Sequence, residues 1–284
     1  MNSIRALLAL LFLTLNTAIW CVPLYTMGLL RWLIPIASVR AFLSGLMDIV
    51  MHGWVGGNRV MNAVLGLHNN ELTMSVSKPL STDKKYIVLC NHQSWSDIVI
   101  LQNTLRGIVP PLKFFTKSEL IWLPLLGVAF WLLGFPYVKR RGHDGETLAK
   151  TCEGFKQHPV CVLNFLEGTR FTEAKRVSKE SKHTHLLPPK VGGLAYVLGE
   201  LGEQVDQILD VTIAYPDGTP TFWEFLKGET GRVSIDIAAH PVPVKGQDRS
   251  LTDAELSDLK RWTEKLWETK DTQLANLLQA RELA

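Results

Sequence analysis

His92 and Asp97 are the residues in this sequence whose types and spacing most directly indicate catalysis. Both lie in the polar segment 91–97, NHQSWSD. Histidine is the side chain best suited to remove a proton near neutral pH, and a carboxylate bound to its other ring nitrogen fixes the tautomer and stabilises the imidazolium. The spacing therefore predicts that His92 is a general base oriented by Asp97. A surface-loop histidine followed by a helix-start aspartate is the competing interpretation.

A second polar cluster lies at residues 165–170, FLEGTR. Gly168 allows the backbone to bend close to a ligand, and the planar fork of donors on Arg170 suits a phosphate. Thr169 offers a hydroxyl donor, and Glu167 could orient the arginine or a substrate hydroxyl. The cluster predicts a phosphate-binding turn, with a solvated turn carrying a Glu–Arg pair as the alternative.

Both clusters directly follow segments that are predicted to be strands. Short apolar runs indicate strands at 85–90, 160–165, 208–215 and 233–238, and helical patterns lie between them at 97–105, 145–157 and 192–201. This alternation predicts an α/β layered core. Ligand sites of parallel sheets gather beyond the carboxyl ends of the strands. A base and a phosphate clamp at that edge would suit a substrate that carries a hydroxyl and a phosphate on adjacent carbons.

The N-terminal region is apolar enough to contact a membrane. Residues 6–30 carry no charge, which exceeds the roughly 20 residues needed to cross a hydrocarbon core. We expect a retained anchor rather than a secretory signal peptide, because the run is longer than a signal h-region and no cleavage site follows it. A second apolar stretch at 32–51 leaves two geometries open, a single tilted span or a helical hairpin in one leaflet.

Three regions follow from these patterns: a membrane anchor at 1–51, a catalytic domain at 52–250, and an amphipathic helix at 251–284 packed on the domain. The helix is indicated by a capping box at Thr252 and Glu255. Residues 120–138 are also uncharged. We expect them to be buried helices or shallowly embedded ones, because a span there would separate the two polar clusters.

Composition narrows the class of protein. Hydrophobic residues make up 46% of the 284 residues and charged residues 20%, which excludes an intrinsically disordered chain. The formal net charge of +3 is too small to indicate a nucleic-acid partner. The four cysteines lie in apolar runs without C-x-x-C spacing, so we expect buried thiols and no metal site.

The two polar clusters resemble the signature of the 1-acyl-sn-glycerol-3-phosphate (lysophosphatidic acid) acyltransferase family, whose N-H-x-x-x-x-D block is followed by a F-P-E-G-T-R block. Segments 135–140 (FPYVKR) and 211–216 (VTIAYP) are similar to two further blocks of that family. Leu166 stands where the family usually has proline, and Lys139 where it usually has aspartate. The segments 187–190 (LPPK) and 215–217 (YPD) are most similar to its lysocardiolipin acyltransferase-like branch.

The resemblance implies a mixed, largely parallel α/β sheet flanked by helices, behind an N-terminal membrane-anchoring helix or hairpin. It implies a membrane-bound O-acyltransferase that moves a fatty acyl group from a thioester, acyl-CoA or acyl carrier protein, to the hydroxyl of a lysophospholipid, without a cofactor. We expect it in a bacterial inner membrane, with membrane lipids as partners and the catalytic domain on the cytoplasmic side. His92 and Asp97 would be catalytic, and the substrate would contact Glu167, Gly168, Thr169, Arg170, Arg140 and Lys117.

Two other classes of function remain open. A membrane-bound lipid hydrolase could use the same base and phosphate clamp, although the sequence has no G-x-S-x-G nucleophile elbow. Metal ligation by His143, His158, His183 and His185 would give another hydrolytic route, but His183 and His185 stand in a polar loop without a convincing partner set, so we expect them to be solvated. A non-catalytic membrane adaptor that keeps the fold is the third class.

Overall fold

The structure is a computed structural model that describes residues 2–76, 79–138, 152–246 and 249–279. Its helices are α1 (Asn2–Leu33), α2 (Ala37–Leu65), α3 (Asp97–Leu105), α4 (Leu126–Leu132), α5 (152–157), α6 (Glu173–Ser178), α7 (Gly192–Leu201), α8 (Phe222–Lys227) and α9 (Asp253–Gln279), and short 3₁₀ turns cover Ser118–Trp122 and Gly202–Gln204. Its strands are β1 (Asn69–Ser75), β2 (Lys85–Cys90), β3 (Leu112–Phe114), β4 (Thr116–Lys117), β5 (Tyr137–Val138), β6 (Val160–Phe165), β7 (Gln207–Ala214) and β8 (Arg232–His240).

The described residues form a six-stranded central sheet in the order β1-β8-β7-β2-β6-β3, with β4 and β5 paired separately. Strand β2 is parallel to both β6 and β7, and β3 is parallel to β6. Strand β8 runs antiparallel to β7 and pairs in parallel with β1 at the far edge. The sheet is therefore mixed and largely parallel, which confirms the expected fold class.

Strand β2 is apolar on both faces because helices cover both sides of the sheet. Side chains alternate along a strand, so Tyr86 and Val88 face one apolar layer while Ile87 and Leu89 face the other. The first layer is formed mainly by α1, α2, α3, α4 and α8, and the second by α5, α7 and α9. Of the helix predicted at 145–157, residues 145–151 lie outside the described part of the chain.

The N-terminal region forms two antiparallel helices, α1 and α2, and α2 continues without interruption through residue 51. The buried Asn16 amide donates to Trp54 O and to Asn58 Oδ1, each at 2.9 Å. Gly57 permits this approach, since a Cβ there would lie 2.2 Å from Asn16 Oδ1. Within the described residues, α1 is the one helix long and apolar enough to cross a membrane.

Both ends of α1 are tied to the α/β domain. Near its start, Asn2 Nδ2 donates to Glu229 Oε1 at 2.8 Å, just after the end of α8. Arg5 donates to the carbonyl oxygen of Lys227, the last residue of α8, at 3.2 Å. Further along, the Tyr25 hydroxyl donates to Leu125 O. Helix α1 therefore lies along the domain surface instead of projecting away from it.

The apolar segment 120–138 does not cross a membrane. It folds into the end of a 3₁₀ turn, the seven-residue helix α4 and strand β5. Seven helical residues rise only about 10 Å, which is far short of a bilayer core. Trp122 and Trp131 are nevertheless 87% and 64% exposed. The segment is thus folded on the domain and presents large apolar side chains at its surface.

Helix α9 is docked on the sheet by a buried ion pair. Lys270 is 0% exposed, and its ammonium lies 2.7 Å from Asp210 Oδ1 on β7. The same ammonium donates to Val211 O at 2.6 Å and to Thr212 Oγ1 at 3.1 Å. At the start of α9, the Glu255 carboxylate accepts from Thr252 N at 2.8 Å, as the capping box predicts.

Replacing Lys270 with methionine leaves Asp210 buried without its cation. We expect Lys270→Met to lower the free energy of unfolding by about 3–5 kcal/mol, because an uncompensated buried charge is costly. Urea denaturation of detergent-solubilised protein, followed by tryptophan fluorescence, measures the change. Adding Asp210→Asn should recover part of the loss, and Lys265→Met on the exposed face of α9 serves as the control. Equal losses in the single and double variants would contradict this account.

Candidate active site

The two polar clusters meet at the carboxyl ends of the parallel strands in the sheet. Cys90, the last residue of β2, is paired with Phe165, the last residue of β6, and with Val211, three residues before the end of β7. Because these three strands are parallel, the residues that follow them emerge on the same side. The Phe171 amide donates to His92 O at 2.7 Å, which joins the loop after β6 directly to the loop after β2.

His92 and Asp97 form the hydrogen bond that their spacing predicts. His92 Nδ1 lies 2.8 Å from Asp97 Oδ2, and the two side chains are 15% and 0% exposed. An ionised carboxylate only accepts hydrogen bonds, so this contact places the imidazole proton on Nδ1. Nε2 is left as the nitrogen with a free lone pair, which is the form a general base requires.

Asp97 is held by four donors. Besides His92, its Oδ2 accepts from the amides of Gln93 at 2.7 Å and Ser94 at 3.0 Å, and its Oδ1 accepts from the Tyr215 hydroxyl at 2.5 Å. Burial, reinforced by the negative charge of Asp97, raises the pKa of Tyr215 well above its usual value. Tyr215 therefore stays protonated and donates.

Glu167 is fully buried and contacts backbone on both sides. Its Oε1 accepts from His92 N at 2.8 Å and its Oε2 accepts from Leu187 N at 2.9 Å. Burial raises the pKa of Glu167 from 4.5 to about 7, against the lowering effect of these two hydrogen bonds. The structure thus places Glu167 beneath the His92 loop, where it positions the backbone and has no exposed surface for a substrate.

Two further residues fix the His92 loop. Asn91 is buried and bridges to β7, donating to Ile213 O at 2.8 Å and accepting from Ile213 N at 2.9 Å. The Phe165 ring stacks on the imidazole of His92, with centroids 4.0 Å apart and planes inclined by 18°. The imidazole is consequently held at its edge by Asp97 and on its face by Phe165.

The Gly168–Arg170 turn lies beside this loop. Gly168 has a φ of 64°, a conformation that favours glycine. The Arg170 guanidinium stacks over the Trp95 ring at 4.4 Å from its centroid, so the arginine lies against the loop that carries His92. Thr169 Oγ1 accepts from Lys175 Nζ at 3.0 Å. The loops that carry Arg170 and His92 are therefore in contact, as the strand-end argument predicts.

Lys117 ends β4 and is exposed. Burial lowers the pKa of Lys175, and the positive charges of Arg170 and Lys117 lower it further. Arg140, the other residue expected to contact substrate, lies outside the described residues.

Sequence reasoning missed the contacts made by Tyr215, Trp95 and Phe165, and the bridge from Asn91 to β7. Tyr215 directly follows β7, which neighbours β2, so the strand-end rule could have identified it. The Trp95 and Phe165 contacts depend on how two loops pack, and no local spacing indicates them.

The arrangement can remove a proton from a hydroxyl and bind an anion beside it. The buried carboxylate of Asp97 orients His92 and stabilises the imidazolium that forms, while Arg170 offers charged donors next to it. Within the described ranges, no group of three or more His, Cys, Asp or Glu residues could hold a metal ion. These side chains are therefore suited to general-base chemistry beside a bound anion.

Glu167→Gln tests the positioning contact. The side-chain NH2 of glutamine would face one of the two backbone N–H groups, and two donors cannot form a hydrogen bond. We therefore expect the free energy of unfolding to fall by about 1–3 kcal/mol. The difference should depend on pH. Because the pKa of Glu167 is about 7 in the folded protein and 4.5 when unfolded, wild type should lose stability relative to the variant as pH rises from 4.5 through 7.

Urea denaturation of both proteins across this pH range measures the difference. Glu264→Gln, on the exposed face of α9, is the control. A stability difference that stays constant with pH would contradict the raised pKa of Glu167.

Comparison with known proteins supplies relatives of similar sequence. A probable 1-acyl-sn-glycerol-3-phosphate acyltransferase 5 from Arabidopsis thaliana is 31% identical over 169 residues, which cover 55% of this chain and 45% of the relative. Lysocardiolipin acyltransferase 1 from Mus musculus is 25% identical over 213 residues, covering 69% of this chain and 55% of the relative. The chain spans about half the length of the curated relatives that it matches.

A solved structure shares the fold across nearly the whole chain. The crystal structure of the 1-acyl-sn-glycerophosphate (LPA) acyltransferase PlsC from Thermotoga maritima matches with a TM-score of 0.52 and 17% sequence identity, covering 98% of both chains. At the sequence level, the profile of the family described as Acyltransferase matches residues 71–244. Since this match covers more than half of the 284 residues, the chain belongs to the acyltransferase family.

Proposed function

We propose that this protein is a membrane-bound O-acyltransferase that transfers a fatty acyl group from a thioester to the free hydroxyl of a lysophospholipid. The convergence of the His92–Asp97 pair with Arg170 at one sheet edge carries this proposal. The names of the relatives support the acceptor class, since they are acyltransferases of 1-acyl-sn-glycerol-3-phosphate and of lysocardiolipin.

His92 Nε2 removes the proton from the acceptor hydroxyl as its oxygen attacks the thioester carbonyl. Asp97, fixed by Tyr215 and two backbone amides, stabilises the imidazolium. The carbon–sulfur bond then breaks, and the imidazolium returns its proton to the leaving thiolate. An ester and a free thiol result, His92 is regenerated, and no covalent enzyme intermediate is required.

Arg170 binds the acceptor phosphate and thereby positions the neighbouring hydroxyl at His92. Its stacking on Trp95 pre-orders the guanidinium, which reduces the conformational entropy lost on binding. Thr169, Gly168 and Lys117 surround the same phosphate. Such positioning can supply about 7–11 kcal/mol of the barrier reduction when reacting atoms are well aligned.

We further propose that the N-terminal hairpin lies in one leaflet. Helix α1 exposes many large apolar side chains, among them Leu7, Leu11 and Ile19. If α1 crossed the bilayer from end to end, its contacts near α8 and at Leu125 would lie on opposite sides, although both belong to the α/β domain. An orientation along the membrane surface keeps both contacts on one side. We assign that side to the cytoplasm of a bacterial inner membrane.

We propose an anchor at 1–51, a catalytic domain at 52–250 and a C-terminal region at 251–284 that contains the docked helix α9, although residue 51 lies inside α2. The anchor and the domain share the first apolar layer, so the boundary marks membrane contact and not a change of core. The donor is acyl-CoA or an acyl carrier protein thioester, and no cofactor is needed for a transfer of this kind.

His92→Ala should reduce acyl transfer about 10²–10⁴-fold, because the general base is removed. Purified membranes are supplied with labelled acyl donor and a panel of lysophospholipids, and the products are identified by mass spectrometry. His158→Ala is the matched control, since His158 precedes the amino end of β6, opposite to the end that carries the candidate site. An unchanged rate in His92→Ala would refute the assigned role.

The products of this assay and the cellular phenotype of the variant distinguish the two other classes of function. Label in free fatty acid in place of phospholipid would identify a hydrolase. A cellular phenotype that His92→Ala leaves intact would favour a non-catalytic adaptor.

Arg170→Ala should raise the KM for the phosphate-bearing acceptor about 10- to 100-fold with a smaller change in kcat, since one charge-assisted clamp is lost. Arg170→Lys should recover only part of this affinity, because lysine cannot reproduce the planar stack on Trp95. Arg176→Ala is the control, as that arginine is paired with Glu173 on α6. Equal effects of Arg170→Ala and Arg176→Ala would contradict the clamp.

A further inference from the structure

Three lysines accompany the Gly168–Arg170 turn: Lys175, which contacts Thr169, together with Lys179 and Lys190. Lys175 Nζ donates to Thr169 Oγ1 at 3.0 Å and to Arg170 O at 2.7 Å. The Lys190 side chain passes over Gly168, with its Nζ 3.5 Å from where a Cβ on that glycine would lie. Lys179 lies one turn after Lys175, at the end of α6. We name Lys175, Lys179 and Lys190 the lysine patch.

The patch gathers like charges that lack ionic partners. Lys179 follows Lys175 by one helical turn, with its amide donating to Lys175 O at 3.0 Å. Burial lowers the pKa of Lys179, and the charges of Lys190 and Lys175 add to the effect. In the part of the chain that the structure describes, no carboxylate lies within 4.0 Å of these three ammonium groups. By contrast, Arg176 and Lys182 on the same stretch are paired with Glu173 and Glu268.

Within the described residues, the charge of Glu167 acts on Lys175 and Lys179, but it does not neutralise the patch. Both of its oxygens are occupied by backbone amides, and its pKa of about 7 leaves it only partly ionised at neutral pH. Crowding three unpaired cations is unfavourable unless an anion offsets them. The arrangement is therefore suited to an anionic ligand.

One phosphate does not account for this much positive charge. A phosphate monoester carries about −1.5 to −2 near neutral pH. Arg170 and Lys117 already balance that charge for the acceptor phosphate proposed above. The three lysines of the patch remain in excess, immediately beside the same turn.

We propose that the lysine patch binds a second phosphate group, carried by a substrate with more than one phosphate. This inference rests on the proposed acyl transfer and deepens it. The second phosphate comes either from the nucleotide part of a coenzyme A thioester or from a lysophospholipid headgroup with two phosphates. In both cases the recognition chemistry is the same: charge-assisted hydrogen bonds from ammonium groups to phosphate oxygens.

The test compares the double variant Lys179→Ala/Lys190→Ala with Lys182→Ala/Arg261→Ala. The control also removes two positive charges, but from residues paired with Glu268 and Asp258. Dissociation constants for the full chain in detergent are measured by calorimetry. The probes are coenzyme A, a lysophospholipid with two phosphates, and lysophosphatidic acid, which has one.

We expect the patch variant to bind one of the two multiply phosphorylated probes about tenfold or more weakly, whereas lysophosphatidic acid changes by less than about threefold. Weaker coenzyme A binding assigns the second phosphate to the donor, and weaker binding of the two-phosphate lysophospholipid assigns it to the acceptor. Unchanged affinities, or changes no larger than those of the control, overturn the proposal. An equal loss for lysophosphatidic acid also overturns it, because the patch would then belong to the first phosphate site.

Activity of the wild type is measured separately with the same donors and acceptors. Absence of acyl transfer from every donor would refute the proposed function, while the dissociation constants would still decide whether the patch binds a second phosphate.

Discussion

The buried carboxylate of Asp97 is the interaction on which the candidate site depends. It begins α3, yet its four hydrogen bonds come from the loop after β2 and from Tyr215 after β7. A carboxylate removed from water is tolerated only when its oxygens are satisfied. The strands must therefore stay in register for Asp97 to remain buried, and Asp97 in turn fixes the ring of His92. Fold stability and the orientation of the base are consequences of the same contacts.

Glu167 shows how a second buried carboxylate can serve a different purpose nearby. Among the described residues it accepts two hydrogen bonds, both from backbone amides, and burial raises its pKa to about 7. Asp97 acts on the imidazole, whereas Glu167 acts on the backbone of the same residue. Glu167 also links the loop to α9, because Leu187 donates to Glu167 and accepts from Trp267 Nε1 at 2.9 Å. The C-terminal helix thus supports His92 although it lies beyond the segment that matches the family profile.

The features that the sequence predicted are those governed by local pattern. Strands β2 and β6 and helices α3 and α7 were predicted at the observed bounds because their apolar runs are short and bounded by polar or turn residues. Strand β1 was missed because NNELTMS lacks an apolar run, and its position depends on pairing with β8. The contacts of Trp95 and Glu167 were missed for the same reason: each joins residues distant in the chain, and spacing carries no information about such packing. Tyr215 is different, because its position directly after β7, the neighbour of β2, follows from the strand-end rule.

The exposed apolar segment that contains Trp122 follows Lys117, a residue of the candidate site, along the chain. This arrangement suits a substrate that has a polar headgroup and an apolar acyl chain. Lys117 ends β4, and the exposed Trp122 follows it after a single 3₁₀ turn. Indole side chains favour the boundary between water and hydrocarbon, while ammonium groups favour phosphate headgroups. A lysophospholipid likewise has its headgroup on the water side of that boundary and its acyl chain on the hydrocarbon side. Under the proposed function, the short turn would place the ammonium of Lys117 at the depth of the headgroup and Trp122 at the depth of the acyl chain, so that the acceptor would reach His92 from within the leaflet.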